Sequence, residues 1–343
     1  MKRYTSFFML VILLCSMTNT APSYAQSNAT KGTPIGQYVV ETFEDSKGNL
    51  WFGTLEKGVA KYDGTKLQYL TMEDGLPSNR IVGVIEDANG DLWFGTDMGI
   101  CRYDGETFTT FSEEHGLISN LVSVLFIDSK GVFWVGTWGG VSQFDGRAFH
   151  TFTLPNPMID TVSNQDTKNW ITTITEDRKG TIWFGRDGYG ATQYNGREFK
   201  TLTKKDGLYS NNVQSITEDD EGNLWFGTRV AEKDHPDENK RTGKGGLHQY
   251  DGKKMVHFPS MKALSENDVY EIYKDPSGVL WISSIKHGVY RYSDGAFKNY
   301  PVDGSTMSML KDRKGTLWIG CAGGLFKLTS TGIVNVTTAG PWN

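Results

Sequence analysis

One short motif returns seven times. "GNLWFGT" runs up to Thr54, "GDLWFGT" to Thr96, "GVFWVGT" to Thr137, "GTIWFGR" to Arg186, "GNLWFGT" to Thr228, "GVLWISS" to Ser284 and "GTLWIGC" to Cys321. Its tryptophans, Trp51, Trp93, Trp134, Trp183, Trp225, Trp281 and Trp318, are separated by 42, 41, 49, 42, 56 and 37 residues. A period of this length marks a repeat architecture in which each unit buries its apolar face only against its neighbours. Catalysis seldom needs one residue seven times over, so the motif reads as scaffold and function is sought where the copies differ.

Each unit divides into four short runs bounded by Asp and Gly. In the second unit these are "IVGVIED" (81–87), "DLWFGT" (91–96), "GICRYD" (99–104) and "TFTTFS" (107–112), called strands A to D. Strand B is apolar at nearly every position, as a strand covered on both faces should be. The A–B turn always begins with Asp and ends with Gly: "DSKG", "DANG", "DSKG", "DRKG", "DDEG", "DPSG" and "DRKG", from Asp45, Asp87, Asp128, Asp177, Asp219, Asp275 and Asp312. Asp bonds nearby backbone N–H groups and Gly takes a positive φ, so these acids are read as turn formers rather than metal ligands. The C–D turn carries Asp-Gly or Asn-Gly, as in "YDG" at Tyr62 and "YNG" at Tyr194.

Seven four-stranded antiparallel units joined by D-to-A crossovers predict an all-β, seven-bladed β-propeller over residues 38–343, closed so that no sheet end is left exposed. Because the frame runs from a first strand A to a last strand D, closure needs no strand exchange, although residues 26–37 could add a strand. An open seven-unit solenoid is the competing architecture, and neither end shows a distinct capping unit.

The first 25 residues stand outside this frame. Lys2 and Arg3 precede "FFMLVILL", and "SYA" ends at Ala25, the pattern of a secretory signal peptide. An uncleaved anchor, or a lipoprotein signal at Cys15 behind the ill-fitting Leu14, are the alternatives. The expected compartment is periplasmic or extracellular. Taking Lys2 and Arg3 from 35 basic residues leaves 33 against 40 acidic ones, a formal −7, which argues against nucleic acid and anionic lipid as partners. No later segment has the apolar length of a membrane span. Cys101 and Cys321 fall in the second and seventh units and read as packed thiols.

The pattern "NxVxxIxEDxxGxLWFGTxxGGxxxYDGxxFxxFxxxDGLxxN", with the crossovers "DGLPSN" (74–79), "HGLISN" (115–120) and "DGLYSN" (206–211), resembles the two-component regulator propeller repeat from about residue 38 to 338. Such repeats form the periplasmic sensing region of many hybrid histidine kinases, often in systems responding to polysaccharide fragments. The resemblance implies the fold and suggests ligand sensing. The chain shows no Tyr-rich immunoglobulin-like module, kinase or receiver, so signalling output is not expected of this polypeptide.

Strand alternation puts the uniform A–B and C–D hairpins on one rim and the B–C loops and D–A crossovers on the other. Length variation falls on the second rim, in the crossover 154–169 and the fifth B–C loop 229–246, where binding residues on a rigid scaffold are expected. The residue after the motif changes from unit to unit: Leu55, Asp97, Trp138, Asp187, Arg229, Ile285 and Ala322. Trp138, Trp170, Arg186, Asp187, Tyr189, Tyr209 and Arg229 are therefore the candidate ligand-binding residues. Aromatic rings can stack on a sugar face, and Arg and Asp can bond hydroxyls or meet a uronate or sulfate. Covering the long crossover is the structural alternative for the two tryptophans.

Asn79, Asn120, Asn169, Asn211 and Asn267 recur at the entry to strand A, either as a polar ring or as local caps. The six histidines form no metal or nucleophile pattern, and no cofactor is called for. The expected function is non-catalytic ligand binding or sensing, with an oligosaccharide or a periplasmic or outer-membrane protein as partner. A propeller lyase or hydrolase acting on a polysaccharide is the alternative.

Overall fold

In the computed structural model, residues 35–157, 167, 169–230, 244–285 and 287–342 are described. They form seven separate four-stranded sheets, each antiparallel and in simple A-B-C-D order. The blades comprise residues 39–70, 81–111, 122–152, 171–202, 212–257, 272–300 and 306–335. The expected seven-bladed propeller is thus what the chain forms, and the A–B and C–D hairpins share one rim.

Every strand B is buried along its whole length. The motif tryptophans are at most 4% exposed. Several reach across the seam to the next blade: Trp51 packs on Phe94, Trp93 on Phe133, Trp134 on Phe184, Trp183 on Phe226 and Trp318 on Phe52, with ring centroids 4.9–5.9 Å apart. They are the inter-blade packing that their repetition suggested.

The turn aspartates do more than turn the chain. Each accepts the indole N–H of the tryptophan six residues later, at 2.7–3.1 Å, in all seven blades. In blade 3 the same Asp128 carboxylate also takes the Lys130 and Val132 N–H groups. The seven turn glycines have φ between 78° and 91°, the left-handed region expected of them. One carboxylate thereby closes the hairpin and orients the largest core side chain.

Neighbouring blades are also joined at this rim. The Ser46 N–H and hydroxyl both donate to Glu86 of the next blade, and Ser129 treats Glu176 in the same way. The Arg178 N–H donates to Glu218, and the Arg313 N–H to Glu44, across the seam of blades 7 and 1. Lys274–Asp220 and Lys311–Ser277 join blades 5 to 7. Between blades 2 and 3, Ile127 stands where the others carry Glu or Lys, and its side chain has no acceptor.

Blades 1 and 7 each draw all four strands from one continuous stretch, so the ring closes without strand exchange. Residues 35–38 add two backbone bonds to blade 7, Ile35 N–H to Thr337 O and Gly323 N–H to Gln37 O, and an isolated bridge from Tyr38 to Ala322, but no strand of their own. Trp342 packs near Phe52, Tyr62 and Trp318 at this seam. The leader read over residues 1–25 lies outside the described residues.

Candidate functional site

On the loop rim, the variable residue after the motif is held by its backbone in five of the seven blades. Leu55, Trp138, Asp187, Ile285 and Ala322 all donate their N–H to a carbonyl at or just before strand A of the same blade. That bond is indifferent to the side chain, which explains how the position can carry Leu, Trp, Asp, Ile or Ala on one scaffold.

Blades 3 and 4 use this freedom together. Trp138 and Trp170 stack face to face, centroids 4.8 Å apart and planes 22° apart. Trp138 is only 8% exposed. The Trp170 indole nitrogen is buried without a hydrogen-bond partner. The two rings thus cover each other, and truncating Trp138 must cost stability as well as any contact with a ligand.

Arg186 replaces the Thr whose hydroxyl elsewhere bonds the Gly carbonyl opening strand C, as Thr54 does with Gly58 and Thr137 with Gly140. Its guanidinium instead donates through Nη1 to Pro155 O at 2.7 Å and through Nη2 to Asn156 Oδ1 at 2.6 Å, pinning the start of the long crossover. It lies over the Tyr189 ring, 4.5 Å from the centroid. Burial pulls the group down to about 10 against the support of Tyr189, which leaves it a cation at neutral pH. Asp187, beside it, is taken by Arg229 of blade 5 at 3.2 Å, with both side chains buried. Asp187, Tyr189 and Arg229 therefore join Arg186 in one set spanning blades 4 and 5.

Next to Arg186 a cavity of about 170 Å³ opens between blades 3 and 4. Ile118, Val141, Phe152 and Ile171 give it apolar walls; Thr153, Asn156, Asn169 and Arg186 supply polar groups. Asn156 and Thr153 had no distinguishing sequence signal beyond lying at the start of the expanded crossover. Most of that crossover's tip (158–166) and of the fifth B–C loop (231–243) lies outside the described residues.

Tyr209 is placed elsewhere. It stacks on His257 of an outer strand, centroids 4.4 Å apart, and meets His248 edge-on. Its N–H donates to His248 Nε2 at 2.9 Å. Burial and the neighbouring His257 push His248 down to about 3, so it stays a neutral acceptor. In blade 3 Ser142 Oγ does the same for the Ile118 N–H. In blade 2 the corresponding crossover residue is Pro77, which has no N–H, and the strand C residue opposite Phe94 is the buried Cys101. Burial pushes the Cys101 thiol up to about 11, despite bonds from Thr110 and Thr109, as befits a packed thiol.

The entry asparagines act locally. Asn79, Asn120 and Asn211 accept from the N–H seven residues earlier, of Met72, Glu113 and Lys204, and Asn267 donates to Lys262 O. They cap their own crossovers; Asn169 instead lines the cavity. Of the histidines, His115 caps a short 3-10 turn, His150 meets Asp145 on the hairpin rim and His257 bonds Gly207 O. Among the described residues no group of three or more His, Cys, Asp or Glu is placed to hold a metal ion, and no helix is long and apolar enough to cross a membrane.

The propeller's inner strands carry one further pair. Glu41 of blade 1 and Glu271 at the start of blade 6's inner strand are pushed up to about 8 and about 7 by burial, Glu41 also by the charge of Glu271. Glu41 accepts the Thr42 N–H at 2.9 Å. Ser308 holds the corresponding position on blade 7, between them, and its hydroxyl is buried without a partner.

The fold is shared with proteins of different activity. The extracellular domain of the hybrid two-component system BT3049 from B. thetaiotaomicron is similar at a TM-score of 0.65 and 21% identity, covering 84% of this chain and 39% of that one. Virginiamycin B lyase from Staphylococcus aureus gives 0.64 and 12% identity, over 88% and 98% of the two chains. PorZ, a surface component of the type-IX secretion system of Porphyromonas gingivalis, gives 0.64 and 17%, over 87% and 47%. The chain thus spans about two fifths of the length of the two-component extracellular domain. Such likenesses establish the propeller fold and leave activity to the site. No curated protein sequence matches the chain. A family model does: "two component regulator propeller" matches residues 33–56, 75–98, 116–139, 210–229 and 263–286, the A–B segments of blades 1, 2, 3, 5 and 6. The chain thus carries two-component regulator propeller repeats in five of its seven blades.

Proposed function

We propose that this propeller is a non-catalytic sensing module of the periplasm or cell exterior, which binds its ligand on the loop rim at blades 3 to 5. The observation that carries this reading is the cavity between blades 3 and 4, lined by Arg186, Asn156 and Asn169, at the start of one of the two expanded loops of the repeat. A concave site with apolar walls and a few convergent polar groups is the ordinary form of a small-ligand site. Sugars fit such walls, presenting C–H faces to apolar side chains and hydroxyls to Asn, Thr and Arg. The similar extracellular domains of hybrid two-component systems support sensing as the role.

The lyase reading is less well supported by the histidines. His115, His150, His248 and His257 are engaged in a cap, a hydrogen bond with Asp145 on the opposite rim and a crossover clamp.

A thermal-shift and calorimetric screen of the purified protein against plant, algal and host oligosaccharides tests the proposal. Saturable binding that Trp170→Ala weakens at least tenfold is expected. Binding unaffected by changes at Trp170, Asn169 and Asn156, or chemical turnover of a bound polysaccharide, would overturn it.

A further inference from the structure

We infer that the cavity between blades 3 and 4 receives the carboxylate of a small organic acid, with Arg186 as its counter-ion. The inference rests on the rim being a ligand site and names the chemistry of its ligand.

Charge accounting comes first. Arg186 is 2% exposed, yet its two bonds go to neutral oxygens, Pro155 O and Asn156 Oδ1. The nearest acid in sequence, Asp187, is engaged by Arg229. Among the described residues no carboxylate meets Arg186. A buried cation is ordinarily paired. Among the described residues the Tyr189 ring alone answers this charge, and it does so across one face of the guanidinium.

Hydrogen bonding comes second. A guanidinium has five N–H donors in a fixed fork. Its Nε is buried and has no partner. An Nε–H beside a parallel terminal N–H is the edge that takes a carboxylate with two bonds. A neutral hydroxyl would satisfy a donor without answering the charge.

Size comes third. The cavity's 170 Å³ falls below the roughly 300 Å³ at which sites for drug-sized ligands begin. It takes one sugar ring or a short acid, with any longer chain left outside. Ile118, Val141, Phe152 and Ile171 offer an apolar wall for the body of such a ligand, and Asn169 and Thr153 lie ready for hydroxyls. A uronic-acid unit and a free aliphatic hydroxy acid share this chemistry.

Calorimetry on the purified protein compares galacturonate and its disaccharide with galactose and galactobiose, and adds lactate as an acid without a ring. The acids are expected to bind at least tenfold more tightly than the neutral sugars of the same shape. Binding of galacturonate but not lactate identifies a sugar acid; equal binding identifies a free carboxylate. Arg186→Gln is expected to abolish the preference for acid, and Arg186→Lys to retain part of it. Because Arg186 also anchors the crossover, the ratio of acid to neutral affinity in the unaltered protein is the primary readout and needs no variant. Equal affinity for galacturonate and galactose would overturn the inference while leaving the rim as a sugar site. Failure of every acid and every sugar to bind would overturn both.

Discussion

Replacing Asp128 with Ala removes the carboxylate that ties the blade 3 hairpin to its tryptophan. Three donors lose their acceptor: the Lys130 and Val132 N–H groups and the Trp134 indole, each at 2.9 Å. The two backbone groups sit at a hairpin turn where water can replace the carboxylate. The indole cannot be rehydrated so easily, since Trp134 is 3% exposed. A bond to a charged group contributes about 1.5–3 kcal/mol, and an unsatisfied buried donor costs about 1–3 kcal/mol. The expected loss is therefore about 3 kcal/mol, or about 6 °C in Tm at about 2 °C per kcal/mol for a domain of this size. Urea and thermal unfolding at pH 7 measure it. The indole's share is isolated by a double-mutant cycle with Trp134→Phe, in which a coupling of about 1–2 kcal/mol is expected. Melting of Asp128→Ala within 2 °C of the parent, or a coupling below about 0.5 kcal/mol, would refute the clip and leave Asp128 a turn former only.

Truncating Trp93 to Ala is expected to cost about 3–5 kcal/mol by chemical denaturation, the range for a buried aromatic, and a smaller loss would end its role as seam packing. Asp187→Ala strips Arg229 of a buried partner and should cost about 3 kcal/mol; a loss under about 1 kcal/mol would show that the pair is dispensable. His248→Phe leaves the Tyr209 N–H without its acceptor and should cost about 1–3 kcal/mol, read as a fall in Tm. Glu41 and Glu271 give a pH dependence of definite sign. Their folded values of about 8 and about 7 lie above the ordinary glutamate value of 4.5, so the stability tied to their neutral forms is complete below about pH 4.5 and is lost as pH rises through 7 and 8. The double variant Glu41→Gln/Glu271→Gln should hold its Tm between pH 5 and 9 better than the parent, and parallel curves would exclude the effect.

The repeat frame was legible because strand period, turn chemistry and the tryptophan agree in every copy. Asp and Gly at fixed places announce each hairpin, and local signals of that kind survive into the fold. The indole bond was less visible. Asp and Trp keep a six-residue spacing in all seven units, but the two meet only because the hairpin folds strand B back past the turn. Tyr209 shows the limit more sharply. Its sequence position is that of a loop-rim residue, while its ring lies against histidines of strands C and D, 39 and 48 positions later, a contact no local pattern encodes. The burial of Trp138 belongs to the same class, since it depends on Trp170 arriving from the next blade. Glu41 and Glu271 are brought into electrostatic reach only by the closing of the ring.

The Arg313–Glu44 bond at the last seam matches the Arg178–Glu218 bond at a seam the chain itself crosses. Blade 7 is thus seated on blade 1 by the same recognition that seats blade 5 on blade 4, with no peptide linkage between them to enforce it. Covalent connectivity is interchangeable with surface complementarity around this ring. A permutant opened within residues 71–80, with residue 337 joined through a short linker to residue 35, should reassemble the same disc.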